Sequence, residues 1–73
     1  MKITARNGQT YDVSTAPPGG VHEVRLGGDL IGTFVLLPRE TKVTVKNKKA
    51  DEGLLVDIAD RFVEAGGGPM GIS

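Results

Sequence analysis

Residues 51–65, DEGLLVDIADRFVEA, form the one segment of this chain with helical spacing, and everything before them reads as strand and turn. Leu54, Leu55, Ile58, Phe62 and Ala65 recur at three- and four-residue intervals, which sets them on one face. At ~100° per residue, Ala59, Val63 and Val56 widen that face to roughly 200° of arc. Asp57, Asp60, Arg61 and Glu64 fill what is left. A helix this apolar needs a sheet to lie on, and the residues before it must supply one.

They contain the strands to do so. Lys2–Arg6 and Gln9–Val13 alternate around Asn7-Gly8, a hairpin signature. A loop of only Asn7-Gly8 would oppose Ile3 to Asp12 and mix the faces. The longer loop Arg6-Asn7-Gly8 opposes Ile3 to Tyr11 and Met1 to Val13, so the expected turn is type I with Gly8 left-handed in a G1 bulge. This opening hairpin superficially resembles the first hairpin of ubiquitin-like proteins. A loop and further strands follow where that family places its helix, and the Gly-rich end lacks a terminal Gly-Gly.

Residues 14–20, STAPPGG, are a loop, because proline removes backbone donors and the glycine pair relaxes the dihedral limits. Val21–Leu26 alternates, with His22, Val24 and Leu26 on one face and Val21, Glu23 and Arg25 on the other. Gly27-Gly28-Asp29 turns the chain into residues 30–37, LIGTFVLL, a run apolar on both faces. Such a run suits a central strand covered twice, by the helix and by a folded-over sheet or second subunit. Gly32 inside it marks a bend or bulge. Lys42–Lys46 directs Val43 and Val45 inward and its lysines to water, as edge strands do. Asn47 or Asp51 caps the helix and Gly66 ends it. The expected fold is α+β: about five short antiparallel strands, in a meander or small barrel-like sheet, with one C-terminal helix packed on it. Residues 1–65 make the single domain and 66–73 a flexible Gly-rich tail.

Composition narrows the function. A chain of 73 residues buries only about 60% of its unfolded surface, so its core is small. With no cysteine, neither disulfides nor a thiolate metal site reinforces it, and a reducing cytoplasm is the expected location. No run reaches the ~18–20 apolar residues of a membrane span, and MKITARNG lacks the apolar core of a signal peptide. The formal net charge is zero, yet Arg39, Lys42, Lys46, Lys48 and Lys49 crowd one segment, and the acidic helix follows it directly.

Catalytic signatures are missing. One histidine and no cysteine give a transition metal at most one nitrogen ligand, and Asp57, Asp60 and Glu64 read as a solvated helix face. Ser14, Thr15, His22 and Asp12 have no nucleophile elbow around them, and His22 reads as half-buried and structural. GGGPMG at 66–71 matches G-x-G-x-x-G in letters, but it follows a helix instead of joining a strand to one.

The expectation is therefore a non-enzymatic protein-interaction or oligomerisation module without a cofactor. Its expected contact surface is Ile31, Val35 and Leu37, with Val56 and Val63, facing another protein or a second copy. The alternative is a nucleic-acid binder that sets Arg39, Lys42, Lys46, Lys48 and Lys49 against phosphates. Against it, the chain has only one Tyr, two Phe and no Trp for base stacking.

Overall fold

A computed structural model describes residues 1–17 and 19–66. The tail expected over 67–73 and Pro18 of the Pro-Gly loop lie outside the described residues. Strands β1 (Lys2–Thr4), β2 (Thr10–Val13), β3 (His22–Leu26), β4 (Asp29–Leu36) and β5 (Thr41–Val45) precede helix α1 (Glu52–Glu64). The strands form one antiparallel sheet in the order β1-β2-β3-β4-β5, and α1 packs on it. The architecture is the α+β meander expected, and the sheet stays open instead of closing into a barrel.

The first hairpin has the expected register. Ile3 pairs with Tyr11, and Met1 and Val13 exchange backbone hydrogen bonds. Gly8 N–H donates to the Ala5 carbonyl and Ala5 N–H to the Gln9 carbonyl, both at 2.9 Å. Gly8 has φ +86°, the left-handed position of the G1 bulge, where a side chain would be strained. Asn7 Oδ1 accepts from Gln9 N–H and pins the turn from its other side.

The β3–β4 hairpin turns on Gly27-Gly28, both at positive φ as a type I′ turn requires. Its ladder then slips, because Val24 pairs with Gly32 whereas Arg25 pairs with Leu30. Ile31 is the extra residue. The bulge explains how a run apolar on both sides sits in a sheet covered only once: it turns Ile31 into the core, where the side chain is fully buried. Gly32 beside it lets the helix approach, and Leu55 occupies the space a side chain would fill. Among the described residues, nothing covers the opposite face of the sheet. The folded-over sheet expected as one of the two covers for residues 30–37 is absent among them.

Asp51 is the N-cap, with extended backbone (φ −137°) and Oδ1 accepting from Leu54 N–H at 2.8 Å. Asn47 closes the turn before it, accepting from Lys49 N–H. Gly66, at φ +86°, follows the last turn and ends the helix. Leu54, Leu55, Ile58, Ala59 and Phe62 are buried. Val56 and Val63 are 39% and 48% exposed, and Ala65 is exposed, so the packed arc is narrower than the sequence implied.

The core joins these helix residues to Ile3, Ala5, Tyr11, Val13, Val24, Ile31 and Phe34. His22 belongs to it, fully buried rather than half-buried. Its Nδ1–H donates to the Ser14 carbonyl at 2.8 Å, and its ring stacks on Phe34 with centroids 5.0 Å apart. Phe62 meets both rings, tilted on His22 at 4.9 Å and edge-on to Phe34 at 5.6 Å. Three aromatic rings thus tie the C-terminal half of α1 to β3 and β4.

Candidate interaction surface

Strand alternation places Lys2, Thr4, Thr10, Asp12, Glu23, Arg25, Leu30, Thr33, Val35, Lys42 and Thr44 on the face away from the helix, in rows set by the ladder. The face is graded. Its β1–β2 end is polar, with Lys2 Nζ 3.1 Å from Asp12 Oδ1 and the hydroxyls of Thr4 and Thr10 hydrogen-bonded at 2.9 Å. In the middle, Arg25 pairs with Glu23 at 2.9 Å. These ion pairs are all at least 44% exposed and worth only about 0.2–1 kcal/mol each.

The apolar part lies at the C-terminal end of β4, between the Glu23–Arg25 pair of β3 and the exposed Lys42 and Thr44 of β5. Val35 is half-buried beside Lys42, and Leu37, two residues on, keeps the same parity. Val21 continues the outward parity of Glu23 and Arg25, and the His22–Phe34 pairing brings it beside Val35. At 55%, Val21 is the most exposed large hydrophobic among the described residues. Sequence reasoning put Val21 on the outward face but did not include it in the contact surface. The signal was its parity with Glu23.

The structure divides the expected contact residues among three places. Ile31 is inside the core and cannot meet a partner. Val35 and Leu37 lie on the uncovered sheet face. Val56 and Val63 lie on the outer side of α1, across the sheet from them, so the five residues do not form one patch.

The basic segment is also spread out. Arg39 lies in the β4–β5 turn, Lys42 on the uncovered face, and Lys46, Lys48 and Lys49 beyond the other end of β5. Lys49 Nζ is 3.0 Å from Asp29 Oδ2. Arg39, Lys42, Lys46 and Lys48 are exposed and make no ion pair among the described residues. Tyr11, Phe34 and Phe62 are all buried, with the Tyr11 hydroxyl accepting from Asn7 Nδ2 at 3.0 Å. No aromatic ring accompanies the lysines on the surface.

On the helix, Asp57 Oδ2 accepts from the Arg6 backbone N–H at 3.0 Å and from Arg61 Nε at 2.9 Å. The carboxylate thereby joins α1 to the end of β1. Among the described residues no group of three or more His, Asp or Glu side chains is placed to hold a metal ion, and no helix is long and apolar enough to cross a membrane. Comparison of the chain with protein-family models, with characterised proteins and with solved structures gives no match.

Proposed function

We propose that the chain is a small non-enzymatic interaction module that docks on another protein through the uncovered sheet face around Val21, Val35 and Leu37. The observation that carries this reading is the apolar cluster on that face, with exposed Val21 beside Val35, bordered by self-satisfied ion pairs on one side and by Lys42 on the other. An apolar centre inside a polar rim is how the core of a non-obligate interface is built. The test is cross-linking in cells with wild type and the Val35→Asp variant. The carboxylate replaces a half-buried surface side chain and leaves the fully buried core intact. Cross-linked partners lost in the variant support the reading, and the same partners captured by both proteins overturn it.

A second reading is nucleic-acid binding, favoured by the exposed, unpaired Arg39, Lys42, Lys46 and Lys48. Phosphate contacts of this kind weaken steeply with salt. The buried aromatics leave them without a stacking platform, which places this reading second. Amide shifts on titration with mixed short DNA and RNA at low salt test it. Shifts at residues 39–49 that vanish with salt and with Lys48→Glu support it, and their absence removes it.

A further inference from the structure

The two edges of the sheet are finished differently. In β1, Met1, Ile3 and Ala5 bond to the β2 side, so Lys2, Thr4 and Arg6 turn their backbone groups outward. Helix side chains meet two of these groups: Asp57 accepts from Arg6 N–H at 3.0 Å, and Arg61 Nη1 lies 3.5 Å from the Thr4 carbonyl oxygen.

Among the described residues, nothing comparable finishes β5. Lys46 N–H donates to the Ile31 carbonyl and Leu37 N–H to the Glu40 carbonyl, both at 2.9 Å. The ladder therefore runs from Glu40 to Lys46, with Glu40, Lys42, Thr44 and Lys46 bonding towards β4. Thr41, Val43 and Val45 direct their N–H and C=O groups away from the sheet, and no other described element bonds to them. Val45 is also 39% exposed.

We propose that this edge pairs with the same edge of a second copy, β5 running antiparallel to the partner's β5 about a twofold axis at Val43. Charge selects the register. Centred on Val43, the pairing sets Thr41 against the partner's Val45 and uses every outward backbone group of the strand. On the uncovered face it sets Lys42 opposite the partner's Thr44, and Glu40 opposite the partner's Lys46, each interaction occurring twice by symmetry. Sliding by two residues one way opposes Lys42 to the partner's Lys42. Sliding the other way opposes Lys42 to the partner's Lys46. Either slip also loses an outward pair. The lysines that guard this edge against indiscriminate pairing thus leave one register open. The contact concerns the strand edge and not the sheet face, so it and the docking reading can fail independently.

Sedimentation equilibrium over a concentration series, on wild type and charge-swapped proteins, tests the proposal. Glu40 and Lys46 are exposed, and far-UV circular dichroism checks that the variants stay folded. Wild type is expected to dimerise reversibly. Glu40→Lys and Lys46→Glu each oppose like charges twice per dimer and should weaken it about tenfold. The double variant should recover to within about threefold of wild type. Amide exchange gives the backbone signature: Thr41, Val43 and Val45 gain protection as concentration rises, whereas Lys42 and Thr44 are protected throughout. A protein monomeric at every concentration overturns the proposal. So does a dimer indifferent to the single swaps, or one that the double variant fails to restore.

Discussion

A methyl group added at Gly32 would lie 2.6 Å from Leu55 Cδ1 and 2.9 Å from the Thr44 carbonyl oxygen. The side chain could yield, but the backbone of β5 has no such freedom. Gly32→Ala is therefore expected to destabilise the fold by about 1–3 kcal/mol, read as a lower midpoint in urea unfolding. Leu55→Ala alone should cost about 2–5 kcal/mol, because it empties a fully buried site. The double variant should lose less than the sum, since the added methyl group enters the space the leucine leaves. The same residue marks the limit of sequence reading here. Gly32 announced a bulge, but not which neighbour would be displaced. Ile31 looked like half of a two-faced strand, and the slip in the ladder made it core.

At the scale of elements, the helix depends on its first turn. Asp51→Ala removes the acceptor of Leu54 N–H and should cost about 1 kcal/mol, whereas Asp51→Asn should retain most of the cap. Thermal unfolding of the pair separates the hydrogen bond from the charge. The elements themselves were largely legible: hairpin parity fixed the Ile3–Tyr11 register, and helical spacing located α1 within a residue at each end. The width of the buried arc was not. Spacing gives the direction of Val56 and Val63 but not how far a five-stranded sheet reaches round the helix, and here it stops short of both. The layout of the basic segment was not legible either, because nearness in sequence put Arg39 and Lys48 together and the intervening β5 sets them at opposite ends.

For the molecule as a whole, the core among the described residues is supplied by one layer of sheet and one helix, so contacts between distant elements count heavily. The Asp57 carboxylate serves Arg6 and Arg61 together, and Asp57→Ala should lower stability by about 1–2 kcal/mol, measured by urea unfolding. This variant also strips the helix-side acceptor from β1. With the β5 pairing proposed above, and with helix side chains holding the Arg6 N–H and the Thr4 carbonyl of β1, each molecule would have a valence of one. Such a unit forms a closed pair and stops, as a monofunctional reagent ends a polymerisation. Freeing β1 would make the molecule bifunctional, and growth would have no natural end group. Light scattering that climbs with concentration in Asp57→Ala, but levels off in the wild type, is the expected sign that one carboxylate sets the stoichiometry.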